Sequence, residues 1–211
     1  MNVYVGAPDR PALSAAEIFV ILFVTLGPIN FIKSFVAMTK GASQSLVRQI
    51  AFRAILLATS GVVLSALVGD FLLVKWRISL GAIAMAGAVI LFIVALKAIL
   101  ELYGEKPPVN HPPPSLAMAG SPLAFPDIAT PYGIAVLIVL LTLSPANAVA
   151  ILALAVIVMA INLVIMLYVG PIMRVLGLPL SLLSVVLSLL QVALSIQFGL
   201  YALRTILTQG I

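Results

Sequence analysis

Apolar residues occupy most of the chain in runs of about 20, parted by short polar or proline-rich stretches. Each run is long enough to cross a ~30 Å hydrocarbon core as a helix, whereas a membrane β-barrel would show short alternating segments. The first run covers about 14–39 and opens with Ser14 and Glu17 at capping-box spacing. After the polar "KGASQS" at 40–45, a second helix is predicted over about 46–74, with Arg48 and Arg53 near its start and Asp70 near its end. "KWR" at 75–77 reads as an interfacial turn, where Trp76 suits the headgroup region. A third helix follows over about 79–102.

The prolines of "YGEKPPVNHPPPS" at 103–115 forbid helix and predict a solvated, extended linker. A fourth span, about 121–143, is interrupted by Pro126, Asp127, Pro131 and Gly133. Pro145 suits the first turn of a fifth helix reaching about 169. Residues 170–179 read as a turn, and a sixth helix is predicted over about 180–207. The expected fold is an all-α integral membrane protein with six transmembrane helices. They form two inverted three-helix repeats, each starting with a broken helix: residues 1–102 and 121–211, joined by a Pro-rich linker at 103–120.

The repeat is carried by the breaks. "LGPINFIKSFVAMT" superimposes on "ATPYGIAVLIVLLT", pairing Pro28 with Pro131, Gly27 with Thr130 and Asn30 with Gly133. Three spans per half is an odd number, so equivalent halves lie in opposite orientations. Helices interrupted at corresponding places in inverted halves point to the binding site of a secondary transporter. A proline removes one N–H and blocks the carbonyl four residues back, and freed backbone groups at membrane depth must be buried in protein or line a wet cavity. A half-helix N-terminus also offers free N–H groups and partial positive charge to a carboxylate. Ser181, Ser184, Ser188, Gln191 and Ser195 make one polar stripe, and Gly81, Ala84, Ala88, Leu91 and Ala95 make a small stripe 100 residues earlier. Such stripes serve as packing seams, and part of the Ser/Gln stripe is also a candidate wall of a solute path.

Composition agrees. The chain is 64% hydrophobic and 8% charged, against about 25% charged in soluble domains. The net charge of +5 comes from cations that flank apolar runs, so anionic headgroups are the expected partner and nucleic acid is not. With no cysteine, disulfides and thiolate metal sites are excluded. The N-terminal stretch lacks the basic n-region of a signal peptide, so the first helix is expected to be retained. Placing both termini outside puts seven Lys/Arg inside (33, 40, 48, 53, 97, 106, 174) and four outside (10, 75, 77, 204), favouring periplasmic termini.

Asp127 fits two roles: a proton or cation coupling site, or the cap of a short half-helix beginning after Pro126. Lys33 either snorkels to the inner interface or faces inward to pair with Asp127 or a substrate carboxylate. Asn30, Asn147 and Asn162 are amides in apolar surroundings, suited to interhelical hydrogen bonds. Thr130 and Tyr132 place hydroxyls beside the second break. His111 is expected to be solvated in the linker. No nucleophile triad, H-E-x-x-H, P-loop or G-x-G-x-x-G is present, so neither enzymatic activity nor ATP-driven transport is expected, and no cofactor or metal.

The halves resemble the MarC family, six-span bacterial inner-membrane proteins grouped with neutral amino acid transporters of the SnatA type. "SPLAFPDIATPYGIAVLIVL" is similar to the family's P-L-A-x-P-x-x-x-G-P-G-A-I segment. Pro122, Leu123, Ala124, Pro126, Pro131 and Ile134 align, while Thr130, Tyr132 and Gly133 replace Gly, Gly and Ala. Around the third helix Ile78, Ser79, Leu80, Gly87, Leu91 and Ala95 are kept. The family's D-P-x-G-N-x-P-x-F is reduced to Pro28 and Phe35, with Lys33 where the second proline would stand. The sixth helix lacks R-I-x-G, having Val185, Val186 and Ser188.

The repeat and the resemblance together imply alternating-access transport of a small neutral solute such as an amino acid across the bacterial inner membrane. The expected site is Gly27, Pro28, Asn30, Thr130, Pro131, Tyr132 and Gly133, with Ser188 and Gln191 as walls and Asp127 as the group coupling to H+ or Na+. A homo-oligomer is compatible with this. The alternative is a non-transporting membrane scaffold of the same fold, its breaks mere packing kinks.

Overall fold

Ser14 and Glu17 form the expected reciprocal cap: Glu17 N–H donates to Ser14 Oγ at 3.3 Å, and Ser14 N–H donates to Glu17 Oε2 at 2.8 Å. They start α1, Ala15–Leu26. The computed structural model describes residues 14–100 and 113–209, the side chains of 29, 70, 74, 145, 173–185 and 209 excepted. The N-terminal stretch, His111 and most of the Pro-rich linker lie outside the described residues. After α1 come a single tight turn, Pro28–Asn30, and α2, Ile32–Met38. Gly41, at φ +81°, turns the polar loop into α3, Gln44–Lys75. Arg77, at φ 54°, makes the Trp76–Arg77 turn into α4, Leu80–Leu100.

The second half begins earlier than expected. A 3-10 turn at Leu116–Ala119 occupies the end of the anticipated linker and leads into an irregular helical stretch, Gly120–Ile128. Ser121 and Phe125 are extended there, each preceding a proline, as sterics before proline favour. Then come α5, Pro131–Leu143, α6, Ala148–Leu167, and α7, Val169–Gln209. The predicted turn at 170–179 is instead helical: the chain turns at Tyr168 and α7 runs on for 41 residues. Pro171 falls in the first turn of α7, where a missing N–H costs nothing. The start of the fifth predicted helix moves to Ala148, because Pro145–Asn147 forms a 3-10 turn.

Among the described residues, four helical stretches are long and apolar enough to cross a membrane: Gln44–Gly69, Leu80–Leu100, Ala148–Leu167 and Val186–Thr208. The pair Leu116–Ile128 and Pro131–Leu143, bent by 55°, makes up to five. The first expected crossing is split: α1 has 12 residues and α2 has 7, so α1 reaches only about 18 Å at ~1.5 Å per residue. At most 33% of any of the four apolar windows is buried within the protein. Leu56, Leu64, Leu67, Phe71, Val149 and Leu207 point outward. A chain with such faces is a multi-pass membrane protein in a lipid bilayer.

The broken segments and their neighbours enclose the main core. Leu22, Leu26, Phe31 and Phe35 pack in one cluster with Ala54 and Ala58 of α3, Leu123 and Ile128, Leu137 of α5, and Ile151 and Met159 of α6. α3 pairs with α6, and α4 pairs most extensively with α7, so second helices meet and third helices meet. The small stripe of α4 is buried throughout: Gly81, Ala84, Ala88, Leu91 and Ala95. A Cβ at Gly81 would stand 2.7 Å from Ile206 Cγ1 and 3.1 Å from the Ala202 carbonyl oxygen. This stripe of α4 does form a packing seam against α7.

Candidate functional site

α1 ends because residue 27 must be glycine and residue 28 cannot donate. Gly27 is extended (φ −82°, ψ 177°), and a Cβ on it would fall 2.0 Å from the Phe23 carbonyl oxygen. The regular partner of the Val24 carbonyl would be the N–H of residue 28, which proline lacks. The last carbonyls of α1 therefore need other donors.

Four side chains from four different elements supply them. Asn30 folds back from the turn after the break: its Nδ2 lies 3.1 Å from the Val24 carbonyl, 3.2 Å from Thr25 and 3.4 Å from Gly27. Gln191 of α7 donates from Nε2 to the Val24 carbonyl at 3.0 Å and to Asn30 Oδ1 at 2.8 Å. Thr130 donates its hydroxyl to the Thr25 carbonyl at 2.9 Å. Asn162 of α6 donates from Nδ2 to the Leu26 carbonyl at 2.8 Å. Thr130, Asn162 and Gln191 are all buried, Asn162 completely.

The second break supplies Thr130 in a double role. It is the N-cap of α5, its Oγ accepting from Gly133 N–H at 3.1 Å while its proton goes to Thr25. Pro131 occupies the first position of α5, where no N–H is needed. Gly133 lets the ends approach: a Cβ there would meet Leu26 Cδ2 at 2.4 Å and Thr130 Oγ1 at 2.6 Å. The C-terminal end of α1, with partial negative charge, thus abuts the N-terminal end of α5, with partial positive charge.

Asp127 is not the cap of α5; Thr130 is. Asp127 lies inside the irregular stretch, half-buried, and Oδ2 accepts from Ser34 Oγ at 2.8 Å. Lys33 was expected either to snorkel or to pair with Asp127 or a substrate carboxylate; the side chain that donates to Asp127 in this bond is that of its neighbour Ser34. Lys33 itself is exposed. Of the other expected site residues, Tyr132 and Gly133 are buried, Pro131 is exposed and Ser188 is half-buried. Asn147 is exposed in its 3-10 turn, away from the role foreseen for it.

The sequence therefore brought Gly27, Pro28, Asn30, Thr130, Pro131, Gly133 and Gln191 to one junction, and left Asn162 and Ser34 off the site. Asn162 carried a signal, a lone amide in the middle of a span. Ser34 carried none. At the start of α3, Arg48 and Arg53 line a separate surface cavity of about 530 Å³ with Gln44 and Gln49.

No curated protein and no solved structure matches the chain. The family model of the MarC family integral membrane proteins matches residues 14–207, nearly the whole chain. A helical membrane chain broken at Gly27–Pro28 and Thr130–Pro131, matched over that length, belongs to the MarC family.

Proposed function

We propose that this protein is a secondary transporter of a small neutral solute such as an amino acid, working by alternating access between two inverted three-helix halves in the bacterial inner membrane. The observation that carries this is the junction itself. Two half-helix ends of opposite polarity meet at Thr25 and Thr130, α1 ending before Pro28 and α5 opening on Pro131. A zwitterion carries its two charges a few ångströms apart, so opposed helix ends suit it, carboxylate toward the N–H groups of α5 and ammonium toward the carbonyls of α1. The pairing of α3 with α6 and α4 with α7 supports a two-fold relation between halves.

The mechanism follows from the bonds. The junction as seen is closed, its carbonyls taken by Asn30, Thr130, Asn162 and Gln191. Solute binding exchanges some of these internal bonds for bonds to the solute, so opening exposes no bare backbone group to hydrocarbon. The Ser34–Asp127 bond joins α2 to the irregular stretch, and Asp127 is the group that couples movement to H+ or Na+. Radiolabelled alanine and glycine uptake into proteoliposomes, with and without imposed gradients, tests the proposal. Saturable, gradient-dependent flux is expected; its absence across a broad panel of small solutes would sink it. A non-transporting scaffold draws on one observation: the internal caps already satisfy the broken end of α1, as a packing kink requires.

A further inference from the structure

The donors at the junction are unevenly distributed. The Val24 and Thr25 carbonyls each receive two side-chain donors, but the Leu26 carbonyl receives only that of Asn162. A carbonyl oxygen has two lone pairs, so one at Leu26 is untaken among the described bonds. Asn162 shows the same excess. Its Nδ2 is engaged, while Oδ1, fully buried, has no hydrogen-bond partner. Its orientation is dictated by the Leu26 carbonyl, which accepts only from the amide NH2. Amide geometry places Oδ1 within about 5 Å of the Leu26 oxygen. Met159 Sδ, 3.9 Å from Nδ2, is a further acceptor beside it.

We infer that Asn162 Oδ1 and the Leu26 carbonyl form a seat for a monovalent cation, either the ammonium group of the solute or an alkali ion that travels with it. Asn162 Oδ1, the Leu26 carbonyl and Met159 Sδ are all acceptors, and an ammonium or a bare alkali ion asks only for acceptors. The C-terminal end of α1 adds partial negative charge at the same point. Unwound carbonyls and half-helix C-terminal ends are also the general means by which membrane helices hold small cations. A buried acceptor left unpaired asks for an explanation that a packing amide does not give. The seat deepens the transporter proposal and rests on it only for what the cation does.

The test uses the full-length protein in detergent, followed by its thermal unfolding midpoint. Wild type, Asn162→Leu and Asn162→Asp are titrated with NaCl against choline chloride, and with glycine against glycolate, which lacks the ammonium. Saturable stabilisation of wild type by glycine but not glycolate assigns the seat to the solute; stabilisation by NaCl assigns it to an ion. Asn162→Leu is expected to weaken the response about tenfold or more. Asn162→Asp should show a larger cation-dependent rise than wild type, because its carboxylate otherwise faces the Leu26 carbonyl. If Asn162→Leu does not fold, the Asp variant decides alone. A wild type indifferent to both titrants, a Leu variant with the wild-type response, or an Asp variant indifferent to cations overturns the seat. Wild-type solute flux in proteoliposomes separates the two proposals: cation binding without flux removes transport and keeps the seat, and flux with the cation response unchanged in Asn162→Leu does the reverse.

Discussion

The Thr130 hydroxyl lies 2.9 Å from the Thr25 carbonyl, a bond between the two breaks across 105 positions of sequence. The same oxygen accepts from Gly133 N–H, so one hydroxyl ends α1 and starts α5. Helix ends that would otherwise leave backbone groups unsatisfied in hydrocarbon are thereby made to satisfy each other.

Replacing Thr130 by Val removes both bonds with little change of shape. Loss of a side-chain cap and of a buried hydrogen bond costs about 1–3 kcal/mol together. Unfolding in mixed micelles should show Thr130→Val destabilised by that amount and Thr130→Ser close to wild type. Equal stability of the Val variant would mean that the hydroxyl does not hold the junction.

Gly133→Ala puts a methyl where Leu26 Cδ2 stands 2.4 Å from the ideal Cβ. Overpacking of this kind costs about 1–3 kcal/mol. Because the obstacle is the tip of a flexible side chain, Leu26→Ala should relieve part of it. A double-mutant cycle is expected to give a coupling of about 0.5 kcal/mol or more; additive effects would show that the two residues do not press on one another.

Gln191→Leu removes donors from the Val24 carbonyl and from Asn30 Oδ1 at once. Since Asn30 also serves Val24, the pair acts as a unit and Asn30→Ala should cost less in a Gln191→Leu background than alone. Stability measured across the four proteins checks this, and proteoliposome flux should fall in each single variant.

Asp127→Asn keeps an acceptor for Ser34 and deletes the charge. If Asp127 couples transport to an ion, this variant folds like wild type and keeps solute exchange, while flux no longer responds to an imposed gradient. Ser34→Ala should instead weaken the contact between α2 and the irregular stretch, with gradient dependence retained. An Asp127→Asn protein whose flux follows the gradient as wild type does would remove Asp127 from the coupling role.

Much of this was legible in the chain. Gly27 and Pro28 mark a helix end because one has no Cβ and the other no N–H, and both properties are local. Thr130 before Pro131 is likewise a local cap signature. Ser14 and Glu17 set the start of α1 by the same kind of short-range bond. Long-range partners were not legible. That Ser34 reaches Asp127 depends on the rotation of α2 against a stretch 93 residues away. The continuous α7 was hidden too, because Pro171 and Gly170 read as a turn until Tyr168 is seen to take that turn instead.

The sequence by itself determined that the protein is helical and lies in a membrane, and where its two helices break, since hydropathy, proline and glycine act on their own neighbourhoods. Tertiary structure alone decided which donors answer the carbonyls freed at Gly27. Asn30 comes from the turn just after the break, but Thr130, Asn162 and Gln191 reach those carbonyls only through the packing of α5, α6 and α7 around the end of α1.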